Sequence, residues 1–242
     1  MERPYRPVVE TPKQRILRLI TFHLLYPLCW ILIIPIHRLK MRNRHVFNQC
    51  PEGGITVMNH CVHLEWMFVY RAFWPQCPIF TMEQENIQRR DWGWLNRLLG
   101  AIGIPRNNPM AISAAVDAQL QNQGWVHFFP EGVLTLHSQK PQPFVLGAAW
   151  FALKNSKPLV PIAEKLTWTR FHQWVKWWPP KVELIFGPPL WPQEYATKEK
   201  RLRNQALAMT ADAQQWIHSI LENKDCQKTI QSHQKQAVEF SV

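Results

Sequence analysis

From Gly53 onward the chain alternates short apolar runs with longer stretches that carry apolar residues at helical spacing, and this rhythm limits the folds open to it. ITVMN (55–59) reads as a buried strand, followed by a helix over about 62–73. PIFTM (78–82) is a strand with a helix near 92–99, and AIGIP (101–105) a strand with a helix over 109–121 closed by Gly124. WVHFFP (125–130) and the helix at 144–153 come next, then two strands, PLVPIA (158–163) and KVELIFG (181–187). One long amphipathic helix, about 193–221, ends the pattern. Strands separated by helices return in the same direction, so the expectation is a single α/β domain with a mostly parallel, helix-flanked sheet.

Ahead of this domain, Leu19 to Ile36 carry no formal charge. At ~1.5 Å per residue such a run barely crosses a hydrocarbon core of ~30 Å. Pro27 stands in its middle, where it breaks or kinks a helix. Both flanks are basic, with Lys13, Arg15 and Arg18 before the run and Arg38, Lys40, Arg42 and Arg44 after it. A spanning helix often has its Lys and Arg on one side. Cations at both ends suit a kinked helix or helical hairpin that dips into one leaflet; a true span and a buried core helix are the alternatives. No small-residue cleavage site follows, so a signal peptide is not expected. The resulting partition is a flexible arm (1–13), a membrane-anchoring segment (14–45), the main domain (46–222) and a disordered polar tail (223–242).

Charge and aromatics narrow the partners. A formal net charge of +11 concentrates anions, and thirteen Trp residues favour a membrane–water interface over other anionic surfaces. A nucleic-acid partner accounts for the charge and the aromatics but not for the apolar run, so none is expected. The segment from Leu166 to Lys181, with Trp168, Phe171, Trp174, Trp177 and Trp178 among Arg170, Lys176 and Lys181, reads as a second interfacial contact or as an aromatic loop packed on the sheet. Five scattered cysteines with no CxxC pair suggest neither a disulfide framework nor a zinc site, which fits a reducing, cytoplasm-facing location at a membrane.

Chemistry concentrates at two strand ends. Strand 55–59 runs into NHCVHLEW, with Asn59 expected as the helix N-cap. Residues five apart on a regular helix diverge by ~140°, so His60 and Glu65 meet only if His60 sits on the strand-to-helix turn. A histidine held by a carboxylate has a fixed tautomer and a basic outer nitrogen, as a general base requires. The bland alternative is a structural pair. His63 makes HxxHxE, but no second donor cluster accompanies it, so no metal is expected. At the other strand end FFPEG places Glu131 beside a ligand crevice, or as a turn cap, and Gly132 where backbone comes close.

With these residues in view, the sequence resembles the glycerolipid acyltransferase family that includes lysophosphatidate and glycerol-3-phosphate acyltransferases. His60 with Glu65, GAIGIPR (100–106), FPEG (129–132) and LVPI (159–162) match that family's four blocks in order. The resemblance implies the glycerol-3-phosphate acyltransferase-like fold and transfer of an acyl group from acyl-CoA or acyl carrier protein, without metal, cofactor or acyl-enzyme. It implies that His60 takes the proton of an acceptor hydroxyl, that Glu65 supports it, and that backbone N–H groups near the strand ends hold the oxyanion. Arg106 and Glu131 would shape the acceptor site, Arg106 meeting a phosphate oxygen, with Asn59 and Gly132 completing the substrate-binding set. Arg106 in an ordinary surface pair is the plainer reading.

The departures are specific. Glu65 replaces the usual Asp, Val133, Leu134 and Thr135 follow FPEG where Thr-Arg-Ser is common, and Val145 and Leu146 precede Gly147 where a cation is common. Two cations for an acceptor phosphate are missing, so a neutral or zwitterionic hydroxyl acceptor, a lysophospholipid or glycolipid, is expected in place of lysophosphatidate. The longer carboxylate keeps open a second class, a non-catalytic acyl-CoA- or lipid-binding protein on the same scaffold. The oligomeric state is not legible.

Overall fold

The computed structural model describes residues 11–32, 34–63, 65–169, 178–197 and 200–222. The expected tail (223–242), most of the arm, and residues 170–177 of the aromatic segment lie outside them.

The described chain begins with helix α1 (Pro12–Leu32) and a short α2 (Ile34–His37). Seven strands follow: β1 (Lys40–Arg42), β2 (Gly54–Met58), β3 (Ile79–Glu83), β4 (Ala101–Ile104), β5 (Trp125–Phe128), β6 (Leu159–Thr167) and β7 (Lys181–Phe186). Between and after them lie α3 (Glu65–Phe73), α4 (Gln84–Gln88), α5 (Gly93–Leu98), α6 (Ser113–Gln121), α7 (Gly147–Lys154), α8 (Pro192–Ala196) and α9 (Leu202–Glu222). The strands form one sheet in the order β1-β7-β6-β2-β5-β3-β4. Every pairing is parallel except β6 with β7. The mostly parallel α/β expectation holds.

Side-chain alternation assigns the two faces. Ile55, Val57, Val126 and Phe128 pack with Val116, Phe151 and Met209 from α6, α7 and α9. Met58, Phe80, Ile162 and Leu184 face the opposite layer, where Phe68, Val69 and Phe73 of α3 are buried. With both faces covered, the central strands carry no polar side to show to water; all of β2 and β5 is buried.

The first helix differs from the expected arm and anchor in instructive ways. It begins at Pro12, because Thr11 and Gln14 form a reciprocal cap: the Thr11 N–H and hydroxyl donate to Gln14 Oε1 at 2.8 and 2.9 Å, and the Gln14 N–H donates to Thr11 Oγ1 at 3.3 Å. It runs on through Pro27. Its inner side docks on the domain: Phe22 is buried against Tyr70 and Trp74, ring centroids 4.9 and 5.6 Å away, and the buried Arg18 donates to the Cys77 carbonyl at 3.0 Å. Its outer side leaves Ile16, Leu17, Ile20, Leu24 and Ile31 exposed. No helix among the described residues is long and apolar enough to cross a membrane. Residues 40–42, inside the segment expected to anchor, form the edge strand β1.

The long C-terminal helix is two helices. Thr197 Oγ1 donates to the Glu194 carbonyl at 3.1 Å and closes α8, while Tyr195 donates to Asp212 at 2.7 Å and ties α8 to α9.

Candidate active site

β2 and β5 are parallel neighbours with Val57 opposite Phe128, so the chain segments carrying His60 and Glu131 leave the sheet side by side. Helix α3 starts only at Glu65, leaving residues 59–63 as an irregular turn. His60 sits on that turn, and its Nδ1 lies 2.5 Å from Glu65 Oε2. The substitution of Glu for Asp therefore does not cost the contact. Glu65 is 1% exposed, and its Oε1 accepts the N–H groups of Cys61 and Val62. One carboxylate thus caps the turn and holds the imidazole. With Nδ1–H donated to Glu65, Nε2 is the basic nitrogen left toward the cavity.

Asn59 does not cap α3. Its side chain is buried and spans to β6, accepting the Glu164 N–H at 2.7 Å and donating to the Glu164 carbonyl at 3.0 Å. It ties the end of β2 to the middle of β6 and is not among the residues lining the cavity. Glu65, the first residue of α3, instead folds back over the preceding turn and accepts the N–H groups of Cys61 and Val62.

Glu131 is also a positioning group. It is buried, and it accepts the His60 N–H at 2.7 Å and the Gln142 N–H at 2.8 Å. Burial raises its pKa, and those two N–H groups, with the charge of His60, pull the other way. The loop it anchors returns to the His60 turn through Thr135 N–H to the His60 carbonyl (3.1 Å) and His137 N–H to the Cys61 carbonyl (2.7 Å). Gly132, with φ +67°, supplies the left-handed turn after Glu131; no atom lies within 4 Å of where a Cβ would stand, so close backbone approach is not its reason. The N–H groups of His60, Cys61 and Val62 are all taken by carboxylates, and none of them is left to hold an oxyanion.

Arg106 lines the cavity but is 68% exposed at its side chain, paired with Glu83 (3.1 Å) and Glu85 (3.6 Å). Exposed pairs of this kind contribute ~0–1 kcal/mol, so an anionic ligand would displace them at little cost.

Two aromatic residues complete the site without having been singled out in the sequence. Phe129 stacks on His60 at 4.3 Å with a 28° interplanar angle, fixing the ring's second face. The signal was its place at the head of the FPEG block. Behind it His127 is fully buried, its ring edge-on to Phe129, with Nδ1 2.8 Å from Thr56 Oγ1. Burial, then the charge of His60, pushes the His127 pKa down to about 3. In the unfolded chain it titrates near 6.5, so below that pH the unfolded state binds one more proton. The stability from its neutral burial is full above pH 6.5 and is lost as pH falls toward 3. Denaturation midpoints across this range are expected to fall more gently in His127→Asn, by up to ~1.4 kcal/mol per pH unit. An identical acid slope in the variant would refute the assignment.

His60 opens onto a cavity of about 1650 Å³, beyond the ~300–1,000 Å³ usual for small ligands. Its wall is chiefly apolar, with Phe22, Tyr70, Leu95 and Leu99 on one side and Ile112, Phe128 and Trp150 on the other. Val133, Leu134, Val145 and Leu146 also line the cavity, with Val133 and Val145 largely exposed. Its arginines, Arg89 and Arg106, are both exposed and paired with carboxylates. Cys61, Glu65 and Glu164 bring one thiol and two carboxylate ligand atoms within 4.8 Å of one another, while His63 is exposed and apart from that trio. Glu65 is already committed to His60 and two N–H groups, so the trio is a hydrogen-bond network.

A buried carboxylate on Nδ1, an Nε2 without a hydrogen-bond partner among the described residues and a large, chiefly apolar cavity are the features that deprotonating a group on an apolar substrate calls for. The family model described as Acyltransferase matches residues 38–165, more than half of the chain, and the chain belongs to that family. In fold it is similar to the 1-acyl-sn-glycerophosphate (LPA) acyltransferase PlsC from Thermotoga maritima, with a TM-score of 0.55 and 15% identity over 90% of this chain and 99% of that one. No curated protein matches the sequence. The family read from the four sequence blocks is thereby borne out.

Proposed function

We propose that the chain moves a fatty acyl group from acyl-CoA or acyl carrier protein to a hydroxyl of a lysolipid-type acceptor at a membrane surface, with His60 as general base and Glu65 as its support. The observation that carries this reading is the His60–Glu65 contact of 2.5 Å at the mouth of the apolar cavity. Nε2 takes the hydroxyl proton as the oxygen attacks the thioester carbonyl. The thiolate then leaves and recovers that proton from the imidazolium, so no net charge is lost from the site. An acyl chain suits the Phe22 and Leu99 wall, where each methylene removed from water contributes ~0.8 kcal/mol.

The apolar wall residues Val133, Leu134, Val145 and Leu146 support a neutral or zwitterionic acceptor, a lysophospholipid or glycolipid. A phosphomonoester dianion placed beside them would find no cation among them to pair with. The exposed apolar side of α1, flanked by the exposed Lys13, Arg15, Arg38 and Arg42, supports contact with an anionic bilayer. Reduced thiols at Cys50 and Cys61 suit the cytoplasmic face.

The test is thiol release from palmitoyl-CoA by purified protein in micelles, with lysophospholipids, a glycolipid and lysophosphatidate as acceptors. Release dependent on the first two acceptor classes is expected. Preference for lysophosphatidate would overturn the acceptor assignment. Tight palmitoyl-CoA binding without release, repeated with an acyl carrier protein donor, would select the non-catalytic binding protein.

A further inference from the structure

Glu164 follows the LVPI block on β6 and is completely buried. Its backbone is fixed by Asn59, so its side chain lies under the His60 turn. There the Cys61 thiol donates to Oε2 at 3.2 Å, and Oε1 has no hydrogen-bond partner among the described residues. The titratable groups that act on it are Glu65 and Cys61, with His60 beyond Glu65, and no lysine or arginine is among them.

A carboxylate oxygen of Glu164 lies within 4.8 Å of one of Glu65, and two carboxylates this close in a dry site do not both ionise. Which one keeps the proton follows from their donors. Glu65 already accepts three hydrogen bonds, from two backbone N–H groups and from His60. Glu164 receives only a weak thiol donor. Burial, and after it the charge of Glu65, raises the Glu164 pKa well above the ordinary carboxylate value. The same burial, then Glu164 and Glu65, keeps the Cys61 thiol protonated. A proton on Glu164 turns an oxygen without a donor into a donor toward Glu65. It also completes Glu65, whose carboxylate has about four lone-pair sites and three donors otherwise.

We propose that Glu164 is a positioning residue for the catalytic pair: an uncharged carboxylic acid that donates its O–H to Glu65 and so fixes the carboxylate that orients His60. The site is then a relay of three groups, His60, Glu65 and Glu164, drawn from the β2 turn, α3 and β6. A buried acid kept neutral so that it can donate a hydrogen bond is an established device of active sites. This role rests on His60 acting as the base.

The test has two arms. In the infrared spectrum of the substrate-free protein at neutral pH, a carboxylic-acid C=O band above amide I is expected, and it is expected to vanish in Glu164→Gln. Absence of the band, or its survival in the variant, overturns the proposal. In the acyl-transfer assay, Glu164→Leu is expected to lower kcat about tenfold or more with KM little changed, the scale seen when the partner orienting a metal-bound histidine is removed. Glu164→Gln, which keeps a neutral donor, is expected to recover most of that loss. If Glu164→Leu does not fold, the infrared arm and Glu164→Gln still decide, since a fall in kcat in Glu164→Gln as deep as that of Glu65→Ala overturns the neutral-donor role. No acyl transfer by the parent together with the expected infrared band would sink the catalytic reading and leave the neutral acid standing.

Discussion

Replacing His60 with alanine is expected to remove acceptor-dependent thiol release, by ~10²–10⁴-fold, while leaving the fold intact. The imidazole is 24% exposed, so its removal opens no core cavity. What it takes away is the imidazole whose Nδ1 lies 2.5 Å from the buried Glu65 carboxylate. Phe129 loses its stacking partner, and the backbone of residue 60 keeps its bond to Glu131, because that bond uses the main-chain N–H. Palmitoyl-CoA binding by the variant is therefore expected to persist when measured by calorimetry. Full turnover by His60→Ala would move the base elsewhere and undo the mechanism.

Glu65→Ala is expected to cost both activity and stability, which separates it from the His60 variant. Its loss leaves the N–H groups of Cys61 and Val62 buried without an acceptor. At ~1–3 kcal/mol each, the pair amounts to about 2–6 kcal/mol, readable as a lowered midpoint in urea. Glu65→Asp keeps the charge but draws the carboxylate back by one C–C bond, ~1.5 Å. It cannot reach both the turn N–H groups and Nδ1 without moving the turn, and a misplacement of ~1 Å can cost ~10²-fold in rate. The Asp variant is thus expected to be more stable than the Ala variant and still slow. An Asp variant as fast as the parent would show that the turn, rather than the side-chain length, sets the distance.

The contrast between these two residues also shows what local pattern could reveal. The need for His60 to leave the helix followed from the five-residue spacing to Glu65, since a regular helix would point them apart. The structure places His60 on that turn. The assignment of Asn59 as the cap failed because the rule that favours Asn at helix starts knows nothing of β6, whose backbone claims both ends of its amide. Arg106 was legible as a cavity residue; its pairing with Glu83 and Glu85 was not, since it depends on where β3 and α4 lie beside β4.

By itself the sequence determined the order of strands β2 to β7 and the α/β class, because apolar period is a local property of the chain, while the resemblance of its four blocks carried the family. The cap at Thr11 to Gln14 was equally local and was there to be read. The three-residue strand β1 and the five-residue α4 were too short to show a period at all. Tertiary structure alone decided that β2 would lie between β5 and β6. That adjacency brings Glu131 to the N–H of His60 across 71 positions and Glu164 beneath Glu65 across 99, as the numbering gives directly. Contacts so distant along the chain are set by which strands become neighbours, and that choice belongs to the packing of the whole sheet between its two helical layers.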